Sequence, residues 1–410
     1  MAAKTLADYK SIVGQRVLDE IYLLAERSAG KSLKMVNSTA VGGGVAEILN
    51  RLVPFLNEVG IKTKWDVIKG DEAFFQVTKT FHNTLHGEKA EIIPNMLDHY
   101  LTTNETNAQQ ITFDEDFIVI HDPQPAPLIK IKGKTKAKWA WRCHIDISTP
   151  YMPVWDFLKQ FVEKYDASIF SDPSFSKPLA IPQYMIHPSI DPLSDKNKDL
   201  PQKYINQVMA KYKIDPNRPI VTQISRFDRL KDPLGVVDAY KLAKKRVDCQ
   251  LVLAGGGATD DPEANQVLTE LSEHAGSDPD IHIMDLPPFS DLEINALQRG
   301  STIIIQKSLR EGFGLTVAEG LWKGRPVIAS AVGGIPLQVR NNVTGILVHS
   351  IEGTAYHIRN LIANPEIAAH IGKTGREHIR HKFLITRNLK DYLILLIILM
   401  QPGKKVIEFA

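Results

Sequence analysis

At 410 residues, with 43% hydrophobic and 23% charged residues, the chain has the composition of a soluble globular protein and is long enough for two domains. A net charge of +2 gives no reason to expect a nucleic-acid partner, and two cysteines exclude both a disulfide framework and a thiolate metal cluster. The N-terminus lacks an apolar signal segment, and the most hydrophobic stretch, Tyr392–Met400, is far shorter than the roughly 20 residues of a membrane helix. We therefore expect a cytoplasmic protein with no membrane partner.

The first half of the sequence predicts alternating helices and strands. A helix is expected over Leu6–Ala29, followed by a strand over Leu33–Asn37, a loop with three consecutive glycines at 42–44, and a helix that ends at Gly60. The glycines either form a tight turn or clear space for a ligand at the helix start, and both interpretations stay open. The loop lacks the Lys-Ser/Thr pair of a P-loop and the spacing of a dinucleotide fingerprint.

Polar residues follow two of the later strands. The strand Phe117–His121 ends in Asp122 and a proline-rich turn, at the position where open α/β sheets place ligand groups. The strand Lys138–Arg142 runs into His144 and Asp146. His144 is either a core histidine with a partner or a polar group directed into a cleft, and the sequence alone does not decide between them. Further strands are predicted at Trp65–Ile68 and Ala167–Phe170.

Two histidines one helical turn apart, His82 and His86, lie in a helix-rich region between Glu72 and Thr103. The pair has metal-ligand spacing, but the surrounding sequence offers no third ligand, so a solvated helix face is the favoured interpretation. We expect no protein-bound metal.

The segment from His187 to Asp199 is rich in proline and polar residues and marks the best domain boundary. Beyond it, strands again alternate with helices, which is typical of a parallel, doubly wound sheet. The predicted fold class is therefore α/β, with two Rossmann-like domains facing across a cleft. The domains are expected to be 1–190, joined by a C-terminal helix near ~382–410, and 191–381. The strands predicted in the second half are Ile220–Ile224, Leu251–Ala254, Ile281–Ile283, Thr302–Ile305, Val327–Ala329 and Gly345–Val348.

The most informative stretch is Arg310–Glu319. It follows a buried β-branched strand and leads into a helix expected over Leu315–Lys323. Small residues before a helix allow a ligand to approach the backbone, and the free N–H groups of the helix favour an anion such as a diphosphate. Glu311 precedes the helix and Glu319 lies about two turns later. A carboxylate accepts hydrogen bonds from vicinal hydroxyls, so two of them beside a phosphate site suggest a ligand with sugars on both sides. A capped core helix is the plain alternative.

Arg226 and Lys231 share one loop after a strand in the same half of the chain. An Arg fork and a Lys point charge suit a diphosphate, although such a loop can also be merely a solvated basic surface. Taken with the glycines and the two carboxylates, the cations favour a nucleotide-sugar ligand.

These residues resemble a known family. Gly42-Gly43-Gly44, His144, the pair Arg226 and Lys231, and EGFGLTVAE at 311–319 resemble the retaining GT-B glycosyltransferases of the glycogen synthase and sucrose synthase group. Within that group, VNSTAVGGGVAEIL, TKTFHNTLHG, HDPQPAPL, WRCHIDIS and SIDPLSDKN are similar to the trehalose glycosyltransferring synthases, which are NDP-glucose:glucose transferases.

The resemblance implies roles for individual residues. Arg226 and Lys231 would hold the donor diphosphate, Glu311 the hydroxyls of the transferred glucose, and Glu319 the ribose. The backbone of residues 312–315 would bind that glucose and the phosphate, and the three glycines would lie beside the diphosphate. His144 would face the donor sugar near the reacting carbon. The implied donor-binding residues are Gly42, Gly43, Gly44, Arg226, Lys231, Glu311, Gly312, Phe313, Gly314, Leu315 and Glu319. The weaker acceptor candidates are Asn37, His82, Asp122 and Asp146.

The implied reaction is synthesis of trehalose from NDP-glucose and glucose with retention of configuration, and the sequence offers no obvious covalent nucleophile. Front-face attack by the acceptor hydroxyl is therefore expected, with catalysis by positioning and electrostatics. The expected partners are the NDP-glucose donor and the glucose acceptor, and a homodimer stays open. No cofactor is expected to be required, although Mg²⁺ can accompany the nucleotide.

Other functions fit the same motifs. A retaining trehalose phosphorylase would use inorganic phosphate and would have no need of a ribose-binding Glu319. Other sugar-acceptor GT-B glycosyltransferases, a nucleotide-sugar 2-epimerase and a non-catalytic sugar-nucleotide binding protein are the further alternatives. The sequence does not identify the nucleotide base.

Overall fold

The computed structural model describes residues 4–41, 43–256, 262–401 and 403. Within these residues the strands are β1 (Ser32–Asn37), β2 (Lys62–Val67), β3 (Phe117–His121), β4 (Lys138–Arg142), β5 (Ala167–Phe170), β6 (Gln183–Met185), β7 (Ile220–Ile224), β8 (Gln250–Gly255), β9 (Ile281–Asp285), β10 (Ile303–Gln306), β11 (Val327–Ser330) and β12 (Ile346–Val348). The helices are α1 (Lys10–Val13), α2 (Gln15–Glu26), α3 (Gly43–Glu58), α4 (Glu72–Leu85), α5 (Pro94–Gln110), α6 (Met152–Val162), α7 (Gln202–Lys211), α8 (Pro233–Lys244), α9 (Pro262–Ala275), α10 (Asp291–Gly300), α11 (Leu315–Trp322), α12 (Ile335–Gln338), α13 (Ile351–Ala363), α14 (Pro365–Lys382) and α15 (Ile385–Leu399).

The chain divides into two compact units. Unit 1 contains the residues up to Pro188 together with the segment from Ile385 onward, and unit 2 is Ser189–Leu384. Each unit is built on one six-stranded sheet whose strands are all parallel. Both units therefore have the predicted α/β architecture, since parallel strands need helical crossovers that cover both faces of the sheet.

Unit 1 has the strand order β2-β1-β3-β4-β5-β6. The order reverses between β1 and β3, so the loops after these two strands diverge and leave a crevice at the carboxyl edge. A large aromatic core that includes the fully buried Trp139 and Trp141 fills one face of this sheet. The very apolar C-terminal helix α15 also belongs to this unit and packs on α2 and α3. Its apolar sequence is thus accounted for by burial.

Unit 2 has the strand order β12-β11-β10-β7-β8-β9. Here the order reverses between β7 and β10, which pair directly through Ile303 with Val221 and Ile304 with Thr222. Ile303, Ile304 and Val221 are fully buried, as expected for central strands of a parallel sheet. The loops that carry Arg226 and Glu311 both leave the sheet at this switch point, the usual place for a ligand in such folds.

Several sequence predictions of secondary structure were wrong in detail. The helix expected over Leu6–Ala29 is interrupted at Gly14, whose φ of 84° is incompatible with a continuous right-handed helix. Strand β6 and helix α7 were not predicted: β6 has only three residues, and only half of the residues in α7 are hydrophobic. No helix in the described ranges is long and apolar enough to cross a membrane.

A close approach between α14 and the turn after α11 gives a stability prediction. A Cβ at Gly372 would lie 2.1 Å from the carbonyl oxygen of Gly324. Because that obstacle is backbone, Gly372→Ala should lower the free energy of unfolding by about 1–3 kcal/mol, as overpacking does. The measurement is urea unfolding followed by circular dichroism.

The matched control is Gly353→Ala, in the first turn of the neighbouring helix α13. A Cβ there meets only Ser350 Oγ, at 3.4 Å. This change should leave stability unchanged or raise it by up to about 1 kcal/mol, since alanine favours the helix. Equal effects of the two substitutions would contradict the packing described for α14.

Candidate functional site

The centre of the candidate site in unit 2 is an ion pair between Lys231 and Glu311. Lys231 Nζ donates to Glu311 Oε2 at 2.7 Å, and the two side chains are 17% and 10% exposed. Lys231 follows β7 and Glu311 follows β10, so the pair joins the two loops that diverge at the switch point. In this poorly hydrated setting the attraction is stronger than at a surface.

Two neutral side chains also hold the Glu311 carboxylate. Ser308 Oγ donates to Oε2 at 3.1 Å, and Gln306 Nε2 lies 3.4 Å from the same oxygen. Gln306 is the last residue of β10, so the sheet itself positions this group. All these contacts are made to Oε2, and they fix the carboxylate in one orientation.

The two loops are also connected through their backbones. Leu309 N donates to the carbonyl oxygen of Leu230 at 2.8 Å. Lys307 forms an ion pair with Asp232, which adopts φ 48° and caps α8 by accepting from Gly235 N at 3.1 Å. The loop is therefore held at the residues on either side of Lys231.

The turn from Gly312 to Leu315 places backbone close to Glu311. Gly314 has φ 80° and immediately precedes α11, and a Cβ there would lie 3.2 Å from Glu311 Cγ. The carbonyl of Phe313 accepts from the buried Gln338 Nε2 at 2.5 Å. Leu315 is the first residue of α11, whose initial N–H groups form a favourable position for an anion.

Arg226 lies in the loop after β7 with a half-exposed side chain. Its Nη2 donates to Asp228 Oδ2 at 3.0 Å, and Asp228 in turn accepts from Leu230 N at 2.7 Å. Arg226 therefore shares its loop with Lys231. Because an exposed ion pair is weak, an anionic ligand can compete for this cation at modest cost.

Glu319 is buried on α11, eight residues after Glu311 in the sequence. Its Oε2 accepts from Gln298 Nε2 at 3.2 Å, and its Oε1 lies 3.9 Å from Lys196 Nζ. Glu319 is therefore not an exposed surface residue, because its carboxylate is buried and has two polar partners.

Unit 1 places His144 in contact with Asp122 and with His121. Asp122 Oδ1 accepts from His144 N at 2.7 Å, and His121 Nδ1 lies 3.0 Å from His144 Nε2. The two imidazole rings stack with an interplanar angle of 16°. Asp122 has φ 65°, a conformation that turns the chain sharply after β3.

Burial keeps the two imidazoles of this cluster neutral near pH 7. It lowers the pKa of His121 to about 3, and the Arg142 guanidinium adds to the effect. The same causes, with a contribution from His121, hold the pKa of His144 well below its usual range. Burial also raises the pKa of Asp122 to about 7, against the opposing hydrogen bond from His144 N. Both imidazoles are therefore neutral, and one donates to the other.

The remaining residues predicted for an acceptor have local partners. Asn37 Oδ1 accepts from Trp65 Nε1 at 2.8 Å, and Asn37 Nδ2 donates to the carbonyl oxygen of Thr39 at 2.7 Å. Asp146 Oδ1 accepts from Ser148 N at 2.9 Å. These bonds shape the turns after β1 and β4.

The glycine loop and the histidine pair in the first half are placed as follows. Gly43 and Gly44 begin α3, and Gly43 has φ 78°, whereas Gly42 lies outside the described residues. His82 and His86 contact each other, with ring centroids 4.8 Å apart. Across the described ranges, no three His, Cys, Asp or Glu side chains are grouped as a metal site. Cys143 and Cys249 are both free and buried.

Three residues that contact the candidates were not predicted from the sequence. They are His121, Gln298 and Lys196. His121 was treated only as the end of a strand, and its separation of 23 residues from His144 hides the pairing. Gln298 and Lys196 are also distant from Glu319 in sequence. The one available signal is that parallel strands align their carboxyl ends at one edge of the sheet. If β3 and β4 are neighbours, this alignment brings residue 121 close to residue 144.

Comparison with known families covers both units. The model described as "Trehalose synthase, N-terminal domain" matches residues 35–177, and that described as "Glycosyl transferases group 1" matches residues 205–378. A trehalose synthase from Pyrococcus horikoshii is 43% identical over 399 residues, covering 96% of each chain. A trehalose phosphorylase from Pleurotus pulmonarius is 29% identical and is matched over 98% of this chain and 62% of its own length.

Solved structures show the same fold at low identity. The trehalose-6-phosphate synthase OtsA has a TM-score of 0.74 at 16% identity, covering 90% of this chain and 99% of its own. A structure from Escherichia coli described as "Trehalose-6-phosphate" and bound with UDP-2-fluoro glucose has a TM-score of 0.70 at 16% identity with the same coverages. The fold is therefore GT-B, as the sequence motifs indicated.

The buried His121 gives a pH prediction for stability. His121 is neutral in the folded state and takes up a proton below about pH 6.5 when unfolded, so wild-type stability falls as the pH decreases. His121→Gln keeps a polar partner for His144 but removes this titration. The difference in unfolding free energy, wild type minus variant, should therefore fall by about 2 kcal/mol from pH 7 to pH 5.

Intrinsic fluorescence during urea unfolding measures this difference, because Trp65, Trp139, Trp141 and Trp155 lie in unit 1. The control is His349→Gln, at an exposed histidine, for which the difference should stay constant. A constant difference for His121→Gln as well would show that His121 is not buried in its neutral form.

Proposed function

We propose that this chain, which belongs to the trehalose synthase family of glycosyltransferases, makes trehalose by transferring glucose from a nucleoside-diphosphate glucose to free glucose with retention of configuration. The observation that carries the proposal is the Lys231–Glu311 pair at the switch point of unit 2. It combines a cation for a diphosphate with a fixed carboxylate for sugar hydroxyls. The family membership supplies the sugar class and the product.

In this proposal, the cations stabilise the diphosphate as the leaving group. Lys231 and Arg226 neutralise the charge that develops on the diphosphate as the glycosidic bond breaks, together with the N–H groups at the start of α11. Glu311 accepts from hydroxyls of the transferred glucose through Oε1, because its other oxygen faces Lys231, Ser308 and Gln306. Gly312 and Gly314 allow the sugar to approach the backbone.

A nucleotide donor is favoured by Glu319. It is a buried carboxylate on the helix that begins beside Glu311, and we assign it to a ribose diol. The structural relative bound with UDP-2-fluoro glucose supports the same donor class. A donor without a ribose gives this carboxylate no role. We propose that no protein-bound cofactor is required, with Mg²⁺ accompanying the nucleotide at most.

The proposed step is a front-face substitution at the anomeric carbon. The bond from that carbon to the diphosphate oxygen breaks, and a bond to the anomeric hydroxyl oxygen of the acceptor forms on the same face. The acceptor proton passes to the leaving diphosphate oxygen, so neither a covalent enzyme intermediate nor an external base is needed. An oxocarbenium-like transition state is stabilised by the positioned charges.

The neutral imidazoles of unit 1 suit sugar hydroxyls rather than phosphate. We assign His144 to the transferred glucose, with Asp122, Asn37, His82 and Asp146 as candidates for the acceptor. A neutral imidazole both donates and accepts hydrogen bonds, which a protonated one does not.

The central test is a product assay with purified protein. UDP-, ADP- and GDP-glucose are each incubated with glucose, and trehalose and the released nucleoside diphosphate are measured by chromatography. We expect equimolar formation of both products with at least one donor. Parallel reactions contain glucose 1-phosphate with glucose, maltose alone, and each NDP-glucose without an acceptor.

Each alternative has its own outcome in this assay. Trehalose from glucose 1-phosphate but from no NDP-glucose would indicate a phosphorylase, and trehalose from maltose alone would indicate an intramolecular rearrangement. An epimerised donor in the reaction without acceptor would indicate a 2-epimerase. Any of these three results, or the absence of all products, contradicts the proposal.

Two arginines in one loop offer a matched test of the diphosphate site. Arg226 and Arg229 have similar side-chain exposures of 51% and 49%, and Arg229 is paired with Glu270. Arg226→Ala should lower kcat by about 10- to 100-fold, because a lost charge-assisted bond costs about 1.5–3 kcal/mol. Arg229→Ala should leave kcat within about threefold of wild type.

Steady-state kinetics with the best donor from the assay measure both variants. If the two substitutions lower kcat equally, or if neither does, Arg226 does not contact the reacting diphosphate.

A further inference from the structure

The segment from Ser194 to Asp199 is fixed against α10 by its backbone. Asn295 Nδ2 donates to the carbonyl oxygens of Asp195 and Lys198, both at 2.8 Å. Arg299 Nη2 lies 2.9 Å from the carbonyl oxygen of Lys198 and reaches the preceding carbonyl at the same distance. Asn295 is fully buried, so these bonds are shielded from water. This polar segment therefore has a defined conformation.

The same segment is also attached to α11, the helix that bears Glu319. Lys323 Nζ donates to Asn197 Oδ1 at 2.9 Å and lies 3.3 Å from the carbonyl oxygen of Glu319. Asn197 is fully buried. The segment is thereby held next to the Glu319 carboxylate, and its side chains are presented there at little further entropic cost.

Lys196 is the residue that this arrangement directs towards Glu319. Its Nζ lies 3.9 Å from Glu319 Oε1 and 3.9 Å from Asp291 Oδ1, and its side chain is 20% exposed. Gln298 Nε2 occupies the other carboxylate oxygen, Oε2. The two oxygens of Glu319 thus face different groups.

The distance of 3.9 Å has a chemical meaning. It is too long for a direct hydrogen bond, which ends near 3.2 Å for a nitrogen donor. A hydroxyl oxygen about 2.7 Å from the carboxylate and about 2.9 Å from the ammonium satisfies both at this separation. Such a hydroxyl donates to Glu319 Oε1 and accepts from Lys196 Nζ. The pair is therefore spaced to receive one alcohol group.

We propose that Lys196 is a donor-binding residue that recognises, together with Glu319, one ribose hydroxyl of a nucleoside diphosphate. The inference rests on the proposed function, in which Glu319 contacts the ribose. It adds a cation that makes recognition depend on the hydroxyl oxygen as acceptor, not only on its proton. Removing that hydroxyl leaves the carboxylate and the ammonium without their common partner.

The proposal predicts discrimination between ribonucleotides and deoxyribonucleotides. Wild-type protein should bind UDP or ADP about 10- to 100-fold more tightly than the 2′-deoxy or the 3′-deoxy counterpart, the range expected for a lost charge-assisted hydrogen bond. Lys196→Met retains the apolar stem and removes the ammonium. This variant should bind the ribonucleotide at least tenfold more weakly than wild type does. For the deoxynucleotide that lacks the recognised hydroxyl, the loss of affinity should be less than threefold.

The matched control is Lys198→Met, two residues along the same segment. Lys198 Nζ is paired with Asp195 Oδ1 rather than with Glu319. Its loss should leave both affinities within threefold of wild type. Isothermal titration calorimetry with UDP, ADP and their 2′-deoxy and 3′-deoxy forms measures all of these constants without requiring turnover.

A double-mutant cycle separates recognition from charge balance. If one hydroxyl bridges the two residues, the effects of Lys196→Met and Glu319→Gln on ribonucleotide affinity are not additive. The double variant should then have about the same affinity as the single variant that binds less tightly. If Lys196 only balances charge within the fold, Lys196→Met weakens both nucleotides equally or changes the thermal midpoint without changing discrimination. Either of those results overturns the proposal.

Failure of the function and failure of the inference are distinguishable. If wild-type protein binds no nucleoside diphosphate and transfers from no NDP-glucose, both proposals fail. If wild-type protein binds and transfers normally but Lys196→Met retains full discrimination, or wild type has none, only the role of Lys196 is refuted.

Discussion

The ion pair between Lys231 and Glu311 is the interaction on which the candidate site of unit 2 depends. It connects the loops after β7 and β10, the two strands between which the sheet order reverses. Both groups are largely removed from water, so each is stable in its ionised form because the other is present. Loss of either partner would leave a buried charge without compensation. The geometry of the crevice and its electrostatics are thus set by the same contact.

The glycines around this pair follow from the position of Glu311. A side chain at Gly314 would press on Glu311 Cγ, and a Cβ at Gly334 would lie 2.6 Å from the carbonyl oxygen of Gly312. The turn is thus enclosed by the Glu311 side chain on one side and by backbone on the other. Gly314 also has a positive φ immediately before α11, which directs the helix N-terminus. Carboxylate, turn and helix start form one rigid arrangement, and this explains why the informative sequence motif is continuous.

The sequence predicted most of the sheets and only part of the side-chain network. Strands such as β3, β4, β5 and β7 were placed at their observed bounds because buried β-branched and aromatic runs are strong local signals. Strand β6 was missed because three residues carry almost no periodicity. The His121–His144 pair and the Lys196–Glu319 contact were missed for a different reason. They join residues 23 and 123 positions apart, and only the strand order and the helix packing bring them together.

The candidate residues of the two units differ in their electrostatic environment: neutral imidazoles in unit 1 and an ion pair in unit 2. In unit 1, burial and the Arg142 guanidinium oppose protonation of His121 and His144, and burial opposes ionisation of Asp122. Arg142 itself donates to the carbonyl oxygens of Phe170 and Ile186, at 3.1 and 2.5 Å, and places a guanidinium behind the two neutral imidazoles.

In unit 2, the Lys231 ammonium and the Glu311 carboxylate form an ion pair. Neutral donors and acceptors discriminate among hydroxyl groups, whereas ions attract a diphosphate and stabilise the charge that forms when it leaves. In the proposed reaction, an ionic environment suits the anionic leaving group and a neutral one suits the sugar hydroxyls. The burial pattern of each sheet edge, rather than any single residue, determines which kind that edge provides.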